Sequence, residues 1–470
     1  MKVKNIPSAW MHRDGRRFDC GPYMSGALEA KIRLEGLACR KDRLADLTTG
    51  RAAGIYNGPQ FVRNFVNDPA HGVPFLGTSS MLRADLSDLP LLRKRDAQSA
   101  KLAHLRIDPG MTLISCSGTI GRMVYARPDM AGMWSNQDIL KVVPDAEKVS
   151  AGYLYAFLSS KFGVPLVTSG TYGAIIQHIE PQHIADLPVP RLGDRAEGEA
   201  HRLVQKAATA LSQHAELMRM ATSQLLQAVG LTEIVDKEWQ GDSSALGWRE
   251  LGLSSESLRA FNYDPRARRI WDQITEARHS ELGELCDSRL FKGKIIFKRI
   301  DAAPEFGLRL IGQRQAFQVR PEGRWISASS VDGLGLQVPA GSTLIPSHGT
   351  LGEQELYCRA VLVTKGTSRF AFSGDFFRCV PIRSRIEPGF LYAYMRSRLA
   401  FRLLRSISTG SKQQEQHVVM MRRFPIPRLG TEEESRIAAM VDQAGLLFDV
   451  AVESESAARA LVERTIEEAA

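Results

Sequence analysis

Paired Cys-x-x-Cys motifs, long apolar runs and glycine-rich phosphate loops are all missing from this 470-residue chain, and each absence removes a class of protein. The six cysteines, Cys20, Cys39, Cys116, Cys286, Cys358 and Cys379, are scattered, which argues against a zinc knuckle. They fit reduced thiols in a cytoplasmic protein. No run of about 18 apolar residues exists, so no membrane span is expected. Met1–Cys20 is polar and carries Arg13, Arg16 and Arg17, so no secretory signal is expected either.

Catalytic signatures are missing too. Gly118–Gly121 lacks the length and the lysine of a phosphate-binding loop, and neither His-Glu-x-x-His nor Gly-x-Ser-x-Gly occurs. The Asn-Pro-Pro-Tyr or Asp-Pro-Pro-Tyr with which amino-methyltransferases hold a target amine is absent, and the ten histidines lack metal-ligand spacing. No cofactor and no metal are expected. A nuclease would need a carboxylate and lysine cluster in both halves of the chain, and none stands out.

What is present is positive charge and a repeat. The formal charge is +9 and the isoelectric point about 9.3, which favours a polyanionic partner, most simply nucleic acid. A basic protein with no such partner is the alternative reading. Leu187–Gly193 (LPVPRLG) recurs as Phe424–Gly430 (FPIPRLG), 237 residues later (427 − 190). Ser117–Gly121 (SGTIG) faces His348–Gly352 (HGTLG), and Gly152–Phe157 (GYLYAF) faces Gly389–Tyr394 (GFLYAY). Thr168–Thr171 faces Ser408–Ser411, and Gln177-His178-Ile179 faces Gln416-His417-Val418. An ordered set of motifs met twice is a duplication.

The repeated segments read as mixed α and β. Met111–Cys116, Ser342–Pro346, Ile139–Val143 and Phe376–Val380 are expected strands; Gly118 and Gly121 suit a turn with positive φ. Tyr153–Ser160 and Phe390–Ser397 are expected amphipathic helices, and Ala27–Leu34 and Ala267–Ile274 a further equivalent pair. Each Pro-x-Pro forces an extended exit, after which Asp194 or Thr431 can cap a long helix. Those helices, Asp194–Val229 and Thr431–Ala470, carry heptad stripes: Val204, Ala208, Leu211, Ala215, Met218, Thr222, Leu225 and Val229, then Val441, Ala444, Phe448, Ala451, Ala458 and Val462, with polar Glu455 in the second. A seam of this kind wants another helix beside it, and each helix would reach roughly 50 Å.

Cations suited to phosphate contacts are Arg51 and Arg63 in the first half and Lys292, Lys294, Lys298, Arg299, Arg309 and Arg314 in the second. Side chains able to reach base edges are Thr171, Tyr172, Gln177 and His178 in one loop and Lys412, Gln413, Gln414 and His417 in its counterpart. The two loops share a frame and differ in content. That divergence suits two heads reading different sequences, or ordinary drift after duplication; the paired Gln-His suits base reading or a structural turn.

Together, GTIG and GTLG, Leu-Tyr-Ala in both helices, the Ser-Gly-Thr and Gly-Ser loops, and Pro-x-Pro leading into a long helix resemble the specificity (S) subunits of type I restriction–modification systems. The resemblance covers most of the chain, in two copies. It implies an α+β fold: two tandem target-recognition-type domains related by internal pseudo-two-fold symmetry, separated by two long antiparallel coiled-coil helices. The expected divisions are residues 1–193 and 231–430 for the domains and 194–230 and 431–470 for the helices. It further implies a chain without chemistry of its own that reads a bipartite site on double-stranded DNA. The helices would dock DNA adenine methyltransferase subunits, and a restriction or translocase subunit could join them. Lead-ins at Met1–Leu44 and Leu231–Glu281 longer than a minimal member leave a type I, a type IIB-like or another methylation-linked system open as its owner. A helical scaffold of a defence complex that reads no DNA is the alternative function.

Overall fold

The computed structural model describes residues 3–13, 21–169, 178–242, 257–289, 291 and 294–469. Contacts divide the chain into two compact units, the first made of Met1–Leu82, Leu89–Ser212 and Val450–Ala470, the second of Arg83–Asp88 and Gln213–Asp449. Both are α+β. The division falls inside both long helices, Asp194–Ala228 and Thr431–Glu468. Different stretches of each largely apolar stripe are absorbed by different cores.

In the first unit an antiparallel sheet has the order Ile55–Tyr56, Ile139–Val142, Thr112–Ser115, Met123–Tyr125. A satellite sheet orders Phe65–Val66, Leu91–Arg93, Gly72–Leu76 and Trp134–Ser135, the last pair parallel. The second unit repeats this with Val361–Leu362, Thr343–Pro346 and Phe376–Cys379, and a satellite of Arg324–Ser327, Gly307–Ile311 and Ala371–Phe372 whose last pair is again parallel. The strands expected at Met111–Cys116, Ser342–Pro346, Ile139–Val143 and Phe376–Val380 are present within a residue or two, and the β-rich run Leu308–Gly312 forms the strand Gly307–Ile311, whereas residues 294–297 of the run Gly293–Phe297 form none.

The repeated Pro-x-Pro segments each pair with one earlier strand: Pro188–Pro190 with Lys41–Arg43, and Pro425–Pro427 with His279–Glu281. The expected caps need correction. Asp194 and Thr431 are the first helical residues and do not cap. A glutamate inside the first turn instead ties the helix start to the residues that precede it. Glu197 accepts the Leu192 N–H (2.9 Å) and takes both Nε and Nη2 of Arg191 (3.1 and 2.9 Å). Glu434 repeats this with the Leu429 N–H (2.9 Å) and Arg428 (2.8 Å twice). The remaining guanidinium nitrogen returns to the partner strand, to Asp42 at 3.1 Å or Ser280 at 3.2 Å. A carboxylate in the first turn also complements the positive end of the helix dipole.

The helices Ala151–Leu158 and Pro388–Met395 are not amphipathic as expected. Every described position but Ala151 is buried, because these helices sit inside the domains. Each carries a glycine as its second residue for a packing reason. A Cβ on Gly152 would stand 2.8 Å from His201 Cα, and one on Gly389 would stand 2.8 Å from Ala438 Cα, so each buried helix lies directly on the backbone of a long helix. The Tyr153 hydroxyl donates to the Pro190 carbonyl and the Tyr155 hydroxyl to Glu455. Glu455 also pairs with Arg459 at 2.8 Å, which explains a polar residue in the apolar stripe.

In the second unit the long helices run antiparallel. His214 Nδ1 meets the Ala444 carbonyl (2.8 Å), and Arg436 donates to Gln224 (2.7 Å), so numbers rise on one helix as they fall on the other. In the first unit Ala200, Val204 and Ala208 share a core with Ala458, Val462 and Ile466.

Each central sheet also buries one cation at the same place. Lys141 and Arg378 are fully buried, 237 residues apart (378 − 141), opposite Leu113 and Leu344 respectively. Arg378 donates to three carbonyls, those of Phe372, Ser373 and Phe376. Lys141 has the Ile139 carbonyl at 3.4 Å and the Tyr56 ring at 5.4 Å. Burial pulls Arg378 down to about 10 and Lys141 down to about 7.

These contacts set two expected outcomes. Glu197→Ala or Glu434→Ala should each cost about 3 kcal/mol by stranding a half-buried arginine and an N–H, read as a lower denaturation midpoint; a change within error would remove the clamp's importance. Between pH 7 and 10 the unfolded chain holds the Lys141 proton and the folded one does not, so this group makes stability rise with pH in that window. Lys141→Met should raise the midpoint at pH 7 and flatten that rise; an unchanged slope would exclude the lysine as its source.

Candidate nucleic-acid interface

The phosphate-contact candidates of the second unit gather on the satellite sheet. Ile295 and Phe297 pack against its small core of Leu310, Ile326, Val331, Leu336 and Ala371, which leaves Lys294, Lys298 and Arg299 exposed. Arg299 leans over Phe297 at 6.0 Å. Arg309 lies on the strand Gly307–Ile311 with its guanidinium 4.9 Å from the Trp325 ring, half-buried, so packing holds it. Arg314 is exposed on the short helix Gln313–Ala316. Among the described residues, no carboxylate pairs with Lys294, Lys298 or Arg299, whereas Arg324 nearby is paired with Asp301.

In the first unit Arg63 lies just before the strand Phe65–Val66 of the matching satellite sheet. It is exposed, sits 5.7 Å from the Phe75 ring and donates to Gln137 at 3.1 Å, with Asp138 at 3.9 Å. Arg51 opens a 3-10 turn, Arg51–Gly54, and its side chain lies outside the described residues. Thr171, Tyr172, Gln177 and Lys292 also lie outside them.

The second candidate group surrounds the GT-x-G turns. Ser117 bridges to His178 in the first unit. In the second, His348–Gly349 pairs with Gln414–Gln416, which in turn pairs with Ser408–Gly410. The same motif uses its glycines differently in the two copies. Gly118 and Gly121 hold positive φ (+73° and +78°), while Gly349 needs the space, since a Cβ would stand 2.7 Å from Tyr357 Cβ.

On this hairpin Lys412 and Gln413 are exposed and Gln414 is not. Gln414 is 3% accessible, its amide donates to the Ser411 carbonyl, and its oxygen accepts from Arg259 at 2.7 Å. Its hydrogen bonds are spent on the hairpin backbone and on Arg259, so here it shapes the loop and does not face outward. His417 caps the helix Val418–Arg422 by accepting the Met420 N–H at 3.4 Å, the structural alternative for that Gln-His pair. Gln416 is buried as well and donates to the Pro346 carbonyl at 3.1 Å.

One basic cluster was missed by sequence reading. The helix Arg398–Ser406 sets Arg398, Arg402 and Arg405 around Phe401, joined by Arg359, all with guanidinium carbons 4.1–5.6 Å from its ring. The i, i+4, i+7 spacing of arginines was the available signal. These cations are inward: Arg402 pairs with Asp236 and Glu353, and Arg359 with Asp88. A cavity of about 610 Å³ in the second unit is lined by Arg359 and Arg396, and the Arg396 charge is met by Asp85 at 2.7 Å. Asp88 in the same wall pairs with both Arg83 and Arg359 at 2.6 Å.

No group of metal-ligating side chains forms among the described residues, and no helix among them is long and apolar enough to cross a membrane. Burial pushes the Cys116 thiol up to about 11 and the Cys358 thiol to about 12, so neither is a thiolate nucleophile near neutral pH. Among the described residues, the second unit offers exposed cations and a polar hairpin tip. Gln414→Ala should lower the stability of the second unit by about 1–3 kcal/mol, while Lys412→Ala and Gln413→Ala leave the thermal midpoint unchanged. Equal effects at all three positions would contradict the division between frame and surface.

No protein-family model matches the chain. No curated protein matches it. Among solved structures, the chain is similar to a type I restriction–modification S subunit from M. genitalium, at 12% identity and a TM-score of 0.34 over 92% of this chain and 96% of that one. It is similar to the HsdS subunit from Thermoanaerobacter tengcongensis at 13% identity and a TM-score of 0.24, over 92% and 96% of the two chains. A third similar chain belongs to a structure concerned with complex assembly and conformational transition of the type I R-M system, at 15% identity and a TM-score of 0.25, over 92% and 97%.

Proposed function

We propose that this chain is a DNA-sequence-recognition subunit of the restriction–modification specificity type. Each unit reads one part of a bipartite target on double-stranded DNA, and the long helices dock adenine methyltransferase subunits, with a nuclease or translocase subunit joining where cleavage is coupled. The chain itself performs no bond chemistry and works in the cytoplasm.

One observation carries the reading: a single frame occurs twice, and its copies agree inside and differ outside. The glutamate clamp, the glycine contacts and the buried cation are shared. The cations of the satellite segments and the loop sequences are not, with Lys412 and Gln413 standing where the first copy's sequence has Tyr172 and Gly173. Duplicated folding instructions with separate surfaces suit two recognition events in one chain. Unpaired surface cations supply affinity for phosphate that is independent of sequence.

Methylome sequencing of cells with and without this chain is the direct measurement, and a two-part methylated motif should vanish with it. An unchanged motif set would sink the proposal. In vitro, Lys294→Ala with Lys298→Ala should weaken binding to all duplexes alike and reduce the slope of log affinity against log salt by about 1–2. Weak binding erased by salt, without preference for the cognate duplex, would leave a scaffold.

A further inference from the structure

The residues between those two lysines are unusual. Accessibility alternates along Lys294–Lys298: Lys294, Ile296 and Lys298 face outward, Ile295 and Phe297 inward. That is the pattern of an extended chain. Ile296 is 85% accessible, a large aliphatic side chain held almost wholly in solvent.

The segment is not loose. Ile295 donates its N–H to the Gly374 carbonyl at 2.9 Å, and the Ile300 carbonyl accepts from Ser327 at 2.8 Å. Gly374 is moulded to it, since a Cβ there would stand 1.8 Å from the Ile295 carbonyl oxygen. Pinning by backbone bonds on both sides presents Ile296 on a prepared support. The first unit repeats the feature. Val62, 79% accessible, stands 234 residues earlier (296 − 62), next to Phe61, which packs on the core of the matching satellite sheet.

Scattered exposed aliphatics are common and need no explanation alone. Here one recurs in the same place in two diverged copies, and in the second it lies between cations with no carboxylate partner among the described residues. In an extended chain Lys294 and Lys298 are about 13 Å apart. The major groove of B-DNA is about 12 Å wide. Lysines so placed reach phosphates on both walls of the groove while Ile296 points at its floor. The one apolar feature that base edges offer there is the C5-methyl group of thymine.

Resting on the proposed DNA recognition, we propose that Ile296 is a specificity-determining residue that packs on a thymine methyl in the major groove, with Val62 as its counterpart in the first unit. The test uses the full chain in complex with its methyltransferase and the duplex carrying the methylome-defined motif. Each thymine is replaced singly by deoxyuridine, which removes the methyl and keeps the pairing. One replacement should weaken binding by about four-fold, the worth of one buried methyl. With Ile296→Ala that penalty should disappear, and the thermal midpoint of so exposed a variant should not move. Cognate preference that persists while no replacement costs more than two-fold overturns the inference and leaves the DNA reading standing. So does a penalty that Ile296→Ala leaves intact, or a motif without thymine. Loss of cognate preference altogether would defeat both.

Discussion

Much in each unit depends on one buried carboxylate. Glu197 is 6% accessible and Glu434 4%, and each sits in the first turn of a long helix while binding the residues just before that turn. A chain leaving a Pro-x-Pro strand has no helical momentum, because proline fixes its own φ and disfavours helix before it. The direction of the helix must be set by something else. The arginine of PRLG, held bidentately by the glutamate and tied by its third nitrogen to the neighbouring strand, sets it. Charge-assisted, planar pairs fix angle as well as distance. Strand, turn and helix then behave as one piece.

A second constraint is contact through missing side chains. Gly152 and Gly389 let the buried helices lie on the backbones at His201 and Ala438. A methyl group at either site would collide with main chain that cannot rotate away. Clamp and glycine together hold each sheet to its long helix from two sides. This explains which parts of the duplication stayed alike. Positions that touch backbone or bury charge are constrained in both copies, while positions facing water on the satellite sheets and hairpins are free to carry different chemistry.

Some sequence expectations met physics that one-dimensional reading does not contain. The GYLYAF and GFLYAY helices were expected to show a polar face, yet their residues are buried all round, since two layers enclose them. Gln414 had the right chemistry for reading a base, but the hairpin folds it inward onto Arg259 and the Ser411 carbonyl. Glu455 looked like a break in the apolar stripe and is instead a receptor for the Tyr155 hydroxyl and Arg459. The arginines around Phe401 were passed over because their carboxylate partners, Asp236, Glu353 and Asp88, are far away in the chain.

By itself the amino-acid order determined the duplication, four strands of the central sheets, the long helices and their apolar seams. These arise from local periodicity, proline and glycine, whose effects act within a few residues. It also marked the cations of the satellite segments as candidates. Only the tertiary structure decided which polar groups are consumed internally and which face solvent, because hydrogen-bond partners more than a hundred residues apart cannot be paired from spacing. Lys294 and Gln414 look alike as polar residues in loops. The fold leaves one in water and satisfies the other inside, and that difference in solvation separates a surface able to meet a partner from a brace.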